Sequence, residues 1–207
     1  SKIENNYVDI VEIDPPYGID LTEQKKSGDS IGISTLNYND IDRSKYREFL
    51  TNTVAECYRV MKDGAWLIMW FGPDPWFDTV YEILQDVGLK GNALPAIWLK
   101  GQGQTNAPNY YMGNAYEMFF YARKGNGVLN KKGRSNIFDF RPVPPSHKIH
   151  PTERPVELIM DVLEVFGYKG STVLVPFLGS GNTLLAANNM DMNAFGFELT
   201  EQYKNDF

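Results

Sequence analysis

The feature that most constrains the fold is the regular alternation of strand-like and helix-like segments along the chain. The run at 65–71 (AWLIMWF) is continuously apolar, as expected of a central strand that is covered on both faces. Before it, apolar residues between Tyr46 and Met61 recur at helical spacing, with Asp42 as N-cap and Gly64 predicted to end the helix. This alternation predicts an α/β fold with a doubly wound, mostly parallel sheet.

The other predicted elements follow the same alternation. Further strands are predicted at 8–13, 97–99, 115–121, 172–176 and 194–198, and further helices at 75–87 with a stop at Gly88, from Pro155 to Gly167, and from about Asn182. Three segments, 19–41, 101–114 and 125–148, lack periodicity and are rich in Gly, Asn, Ser and Pro. Because long loops in compact domains are usually functional or mobile, we predict that these three form the substrate-facing surface.

Composition narrows the class of protein. With 207 residues, of which 43% are hydrophobic, the chain is long enough for one core, so we expect a single domain over 1–207. No apolar run approaches the ~18 residues that span a bilayer, and there is no signal-peptide pattern, which predicts a cytoplasmic protein without membrane contact. One cysteine, Cys57, and two histidines, His147 and His150, predict neither a disulfide nor a metal site. The start at Ser1 leads us to expect a processed or tagged chain, or a domain cut from a longer protein.

Charge is distributed unevenly along the chain. The formal net charge is −6, but residues 90–154 carry ten Lys and Arg against three acidic residues, a balance of +7. Charge alone leaves two interpretations of this stretch equally open, a solvated loop and a polyanion-binding face.

Two motifs whose residues could bind a ligand or take part in a reaction lie where predicted strands end. The first strand runs into Asp14-Pro15-Pro16-Tyr17, and the strand at 172–176 runs into Phe177-Leu178-Gly179-Ser180-Gly181-Asn182-Thr183. In parallel sheets ligands bind beyond the carboxyl ends of the strands, so we expect both motifs to face one crevice.

The residue types in these motifs favour a nucleoside ligand and an amine. A glycine loop that opens a helix offers backbone N–H groups, and Glu198, after the next strand, can accept hydrogen bonds from ribose hydroxyls. The DPPY sequence sets a carboxylate and free proline carbonyls beside an aromatic ring, a set that suits an exocyclic amine under a stacked ring. A plain tight turn and a solvated strand end are the alternatives at these positions.

On these residues the chain resembles the S-adenosylmethionine-dependent amino-methyltransferases of DNA, in the class whose catalytic motif precedes the cofactor motif. Asp14-Pro15-Pro16-Tyr17 matches the catalytic motif, and Phe177, Gly179, Ser180, Gly181 and Thr183 match the cofactor loop, which Asn182 completes. His150-Pro151-Thr152-Glu153-Arg154-Pro155 matches the segment that closes the methionine pocket, and Glu198 matches the ribose-binding acid. Tyr116-Glu117 and Lys124-Gly125 also fit the family's late strand.

The resemblance implies a Rossmann-like class I methyltransferase fold and a direct transfer mechanism. Asp14 and the carbonyl of Pro15 would accept hydrogen bonds from the target amine, and Tyr17 would stack on a base that has left the duplex. Asp14 would also contact the cofactor. S-adenosylmethionine would be the cofactor and DNA the partner, with phosphate contacts from Lys131, Lys132, Arg134, Arg141 and Lys148. The DPPY sequence resembles the adenine-N6 subset more than the cytosine-N4 one.

The chain also departs from the family's pattern. Val175 stands where the family usually has an Asp that accepts from the cofactor's ammonium group, and we predict that Val175 lies at the mouth of the cofactor cleft. Only 22 residues, 126–147, separate the late strand from the pocket segment, so no separate target-recognition domain is expected. Two alternatives therefore stay open, a cytosine-N4 enzyme and a catalytically weak cofactor-binding or DNA-binding module of a larger phage-type protein. A further N-terminal domain or a second copy of the chain would be the expected protein partner.

Overall fold

The computed structural model describes residues 3–16, 41–105, 107–144, 146 and 153–198. The seven strands are β1 (Val8–Ile13), β2 (Met61–Phe71), β3 (Ala96–Gln104), β4 (Asn114–Arg123), β5 (Ile137–Asp139), β6 (Thr172–Val175) and β7 (Asn193–Gly196). The helices within the described residues are α1 (Arg43–Val60), α2 (Pro73–Asp86), α3 (Val156–Phe166) and α4 (Asn182–Asn189). Within these residues no helix is both long enough and apolar enough to cross a membrane.

All seven strands form one sheet in the order β5-β3-β4-β2-β1-β6-β7. β1 lies parallel to β2 and β6, β6 to β7, and β3 to β5, whereas β4 runs antiparallel to β2 and β3. The prediction of a mostly parallel, doubly wound α/β sheet is therefore confirmed. Each of the strands except β5 overlaps a predicted strand, although β2 begins four residues earlier and β3 ends five residues later than predicted. The antiparallel direction of β4 was not predicted.

The core has two layers because helices cover both faces of the sheet. Apolar residues of α1 and α2 pack on one face, and those of α3 and α4 pack on the other. Trp66, Trp70 and Trp98 are buried in the second layer. The runs 65–71 of β2 and 173–175 of β6 are buried, which explains why they are continuously apolar.

Several helix boundaries follow directly from local chemistry. Asp42 caps α1, since its Oδ1 accepts from the backbone N–H of Ser44 at 2.8 Å. Gly88 follows α2 with φ +96°, a conformation that favours glycine. The prediction that Gly64 ends the first helix is wrong. α1 ends at Val60 and β2 begins at once, because Val8 pairs with Met61, and Gly64 lies within β2 with φ +84°.

Two further strand features were missed by sequence reasoning. The three-residue strand β5 lies in the segment 125–148, which was expected to be a loop. The strand β3 continues to Gln104 and β4 begins at Asn114, so the two ends of the segment 101–114 belong to a hairpin whose turn lies between them. Both features depend on pairing with β3 or β4. In these segments the alternation of apolar and polar residues is too short or too interrupted to predict a strand.

Candidate active site

The candidate site residues lie together at one edge of the sheet, the edge that is formed by the carboxyl ends of the parallel strands. Asp14 follows β1, the loop 176–181 follows β6, and Glu198 lies two residues beyond β7. These three strands are mutually parallel, so their carboxyl ends meet at this edge. The expectation that both motifs face one crevice agrees with this arrangement.

Arg154 connects the catalytic motif to the late strand. Its Nη1 lies 2.5 Å from Asp14 Oδ2 and its Nη2 lies 3.3 Å from Asp14 Oδ1, a two-pronged ion pair. The same guanidinium donates to Glu117 Oε2 through Nε at 3.1 Å and has Nη2 at 3.0 Å from it. Glu117 in turn pairs with Lys100 at 2.5 Å. Asp14 therefore belongs to a chain of alternating charges that holds its carboxylate in place.

An aromatic ring packs against the guanidinium of this ion-pair network. The guanidinium carbon of Arg154 lies 4.0 Å from the centre of the Trp70 ring, within cation–π distance. Trp70 is fully buried, and Arg154 is only 7% exposed. A guanidinium held by a ring and two carboxylates has little freedom, which makes Asp14 a pre-positioned acceptor rather than a mobile surface acid.

The glycine loop has the form of a ligand cradle. Gly179 and Gly181 have φ of +53° and +73°, and Gly181 is the N-cap of α4. The space in which a Gly179 β-carbon would stand is open to 4 Å. Glu198 Oε2 accepts from the backbone N–H of Gly179 at 3.1 Å, so the acidic residue and the loop are in contact. Backbone donors at a helix start, open space and an adjacent carboxylate fit a nucleoside-containing cofactor.

The loop is also tied to the segment that contains Arg154. Asn182 Nδ2 donates to Glu153 Oε1 at 3.0 Å and to the Arg154 carbonyl at 2.8 Å. Phe177, in contrast, packs toward α1, with its ring 5.9 Å from that of Phe49. The ion-pair network and the glycine loop are thus joined in one site.

Glu12 is a buried acid that the sequence analysis did not single out. It is 3% exposed, and Thr183 Oγ1 donates to its Oε2 at 3.2 Å. Burial raises the pKa of its carboxyl from the usual 4.5 to about 7, an effect that the Arg154 cation opposes and the Asp14 anion assists. An acidic residue between the apolar residues Val11 and Ile13 was the available sequence signal.

Glu12→Gln should therefore change how stability depends on pH. Between about pH 4.5 and 7 the folded protein holds a proton that the unfolded chain has released, so the free energy of unfolding falls as pH rises through this window. Glutamine removes this fall, and at about 1.4 kcal/mol per pKa unit we expect Glu12→Gln to be more stable than wild type by up to about 3 kcal/mol at pH 8. The gain should shrink toward zero at pH 5.

Urea unfolding at pH 5, 6, 7 and 8 measures this effect. Glu157→Gln is the matched control, since it makes the same change at an exposed position of α3 and should shift stability by less than about 0.5 kcal/mol at every pH. A Glu12→Gln variant whose stability difference does not change with pH would contradict the assignment.

Val175 does not lie at the mouth of the cleft. Its side chain is 1% exposed and packs in the apolar layer under α3 and α4, so the predicted position is wrong. The alternation of side chains along a strand explains the error, because the last residue of β6 still points into the core. Ile10 pairs with Val173 and Val11 with Leu174, and the same register sets Glu12 beside Val175.

The predicted DNA-contacting cations fall into two groups. The backbone N–H of Lys131 donates to Val165 at the end of α3, which places this cation near the start of β6 and at the opposite edge from Asp14. Lys131 pairs with Glu164 at 2.7 Å, and Arg134 pairs with Asp161 at 2.5 Å, while Lys132 is exposed beside them.

Arg141 belongs to the edge that carries the site. It is exposed, it follows β5, and its guanidinium lies so close to Gly101 that a β-carbon there would overlap it. The remaining predicted residues lie outside the described part of the chain. They are Tyr17, His147, Lys148, His150, Pro151 and Thr152.

Known DNA methylases resemble this chain over most of its length. The family model described as DNA methylase, which covers N6 and N4 enzymes, matches residues 8–207. The type II methyltransferase M.HpaI of Haemophilus parainfluenzae is 26% identical over 98% of this chain and 67% of its own length. M2.MboI of Moraxella bovis is 27% identical over 96% of this chain and 78% of its own length.

Solved structures share the fold at low sequence identity. The M1.HpyAVI–SAM complex superposes with a TM-score of 0.71 and 18% identity, over 97% of this chain and 86% of that one. The cytosine-N4-specific PvuII DNA methyltransferase has a TM-score of 0.73 and 13% identity, over 97% and 78%. The Rossmann-like fold is thereby confirmed, and since the family model extends over nearly the whole chain, this protein belongs to the N6/N4 DNA methylase family.

Proposed function

We propose that this chain transfers a methyl group from S-adenosylmethionine to the N6 amine of adenine in DNA. The observation that carries the proposal is the position of Asp14, which lies at the sheet edge of the glycine loop and is held there by Arg154. The family match supports methyl transfer to a DNA amine, and the DPPY sequence favours adenine within that family.

The cofactor site would be formed by the loop around Gly179 and Gly181 together with Glu198. Glu198 would accept from ribose hydroxyls, and the backbone N–H groups at the start of α4 would face the cofactor's polar groups. When bound, S-adenosylmethionine supplies an electrophilic methyl group.

Asp14 would then orient the acceptor amine. A carboxylate has about four lone-pair sites, so Asp14 can accept from Arg154 and from the amine at the same time. With the Pro15 carbonyl as a second acceptor, both N–H bonds are engaged and the nitrogen lone pair is directed at the methyl carbon. After transfer, Asp14 is placed to take the proton that the methylated nitrogen sheds.

The proposal is tested by the DNA that the protein modifies in a cell. Mass spectrometry of nucleosides from DNA co-expressed with the protein should detect N6-methyladenine, in a host that lacks its own adenine methylases. N4-methylcytosine in its place would assign the alternative enzyme, because Asp14 can orient either amine in the same way. Unmodified DNA, with wild-type protein that binds DNA, would assign the DNA-binding module.

For the phosphate contacts we propose Arg141 in place of Lys131 and Arg134, which are ion-paired at the opposite edge. Arg141→Gln should weaken DNA binding and reduce the slope of log affinity against log salt by about one, the value for one phosphate contact. Lys131→Gln, the matched control, should leave the slope unchanged. Fluorescence anisotropy with one duplex at several salt concentrations measures both, and equal slopes for the two variants would contradict the assignment.

A further inference from the structure

The β3–β4 hairpin projects beyond the edge of the sheet that carries the site. Phe71, the last residue of β2, lies opposite Met118 of β4, while the pairing of β3 with β4 continues to Gln104 and Asn114. At ~3.3 Å per residue, β4 extends roughly 13 Å past the end of β2. The hairpin also begins at the site itself, because its residue Glu117 binds Arg154, the partner of Asp14.

The tip of this hairpin exposes large apolar side chains. Tyr110, Tyr111 and Met112 are 83%, 72% and 95% exposed, and they are consecutive in sequence. The backbone beneath them is shaped by hydrogen bonds, since the N–H groups of Tyr110 and Tyr111 both donate to the Ala107 carbonyl at 3.0 Å. Three adjacent exposed residues of this size on an ordered turn mark an interaction surface rather than scattered surface hydrophobics.

The chemistry of the hairpin suits the interior of a nucleic acid duplex. Residues 105–114 (TNAPNYYMGN) contain no charged side chain, so this tip is unsuited to phosphate contact alone. The cation Arg141 lies at the base of the hairpin, against Gly101. The hairpin thus has an uncharged aromatic tip, and a cation lies near the point where it leaves the sheet. This arrangement matches a segment that contacts phosphate near the sheet and inserts its tip between nucleobases.

We propose that Tyr110, Tyr111 and Met112 insert into the duplex beside the target and stack on the bases left when the target nucleotide leaves the helix. The inference rests on the proposed function, because an exocyclic amine inside a duplex reaches Asp14 only after extrusion of the base. The length of the hairpin and its origin at Glu117 put this tip on the side from which DNA would approach.

Binding to a duplex with an abasic site tests the insertion without methyl transfer. An abasic site imitates the gap that an extruded base leaves in the helix. Wild type should therefore bind a duplex of about 30 base pairs more tightly with the abasic site than without it, by roughly 10-fold or more. In Tyr110→Ala/Tyr111→Ala the preference should fall to about 1. In Tyr110→Phe/Tyr111→Phe it should persist, because the rings remain.

The matched control is Tyr168→Ala, which removes an equally exposed tyrosine just before β6, at the opposite edge of the sheet. It should leave the preference unchanged. An undiminished preference in the double alanine variant would overturn the proposal. So would a change of sedimentation coefficient in that variant with the abasic preference retained, since the tip would then serve association between copies of the chain.

Methyl transfer separates this inference from the proposed function. The double alanine variant should lose roughly 10- to 100-fold of its activity on native genomic DNA but less than about 3-fold on the same DNA after heat denaturation, where no base needs to be extruded. Equal losses on both substrates would overturn the proposal. Inactive wild-type protein would instead refute the proposed function, and the abasic-site measurement would still decide the role of the tip.

Discussion

Asp14→Ala should reduce methyl transfer by at least 10²- to 10³-fold. The substitution removes the acceptor that orients the amine, and loss of one preorganised polar group at a reacting centre has a cost of this order. The activity of Asp14→Asn should fall by a similar factor, since an amide presents only one acceptor oxygen. To keep its N–H₂ group away from Arg154, the amide must offer that oxygen to Arg154, and its N–H₂ group then faces the target amine. Transfer of labelled methyl groups to DNA under single-turnover conditions measures both variants.

The fold should survive this change. Arg154 keeps its pairing with Glu117 and its contact with Trp70, so no buried charge is left alone, and we expect a stability loss of about 1–2 kcal/mol. Asp139→Asn is the matched control, because Asp139 is an exposed acid at the end of β5 on the same edge of the sheet. A folded Asp14→Ala protein with wild-type turnover would remove Asp14 from the mechanism.

Val175→Asp should destabilise the protein by about 3 kcal/mol or more at pH 8. The sequence alone predicts a different result, tighter S-adenosylmethionine binding, on the condition that the new carboxylate is solvated. That condition fails, because Val175 is 1% exposed and the β1–β6 register, continued one residue beyond Val11 and Leu174, sets Glu12 beside it. A second carboxylate there loses its hydration and repels the first.

A double variant tests whether this repulsion is the cause. Glu12→Val/Val175→Asp moves the acid from β1 to the adjacent strand at the same level, and it should recover at least half of the loss. Val173→Asp provides the matched control, since it buries an acid two residues earlier in β6, where Glu12→Val should give no rescue. Urea unfolding at pH 8, or the soluble yield where a single variant does not fold, measures the recovery. A double variant no better than the sum of its parts would contradict the pairing.

The double variant also bears on how members of this family hold the cofactor. The resemblance implies an acid at position 175, and this chain carries one on the neighbouring strand, in contact with Thr183 at the start of α4. The double variant moves the carboxylate from one of these strands to the other. Calorimetry with S-adenosylmethionine on the double variant would show whether affinity follows the carboxylate.

Much of the fold was predictable because it depends on local patterns. The continuous apolar run that became β2, the helical spacing of α1 and its cap Asp42 act over a few residues, and each is readable without knowing its partner. The motifs at Asp14 and Gly179 were found in the same way, since the turn that follows a strand places its ligand groups by itself.

The long-range contacts were not predictable from those patterns. The sequence shows Asp14, Glu117 and Arg154 as separate residues, and only the packing of α3 against the sheet joins them over Trp70. The same holds for Lys131, whose charge suggests DNA contact until α3 supplies Glu164 as its partner.

The sequence by itself therefore determined the class of fold, the two strand-end motifs and the family that they resemble, because each depends on residues adjacent in the chain. The tertiary structure alone decided which face each strand residue occupies, and with it the burial of Val175 beside Glu12. It also decided how far the β3–β4 hairpin reaches past the site. Both are matters of strand register, and register is set by pairing with distant strands rather than by the strand's own residues.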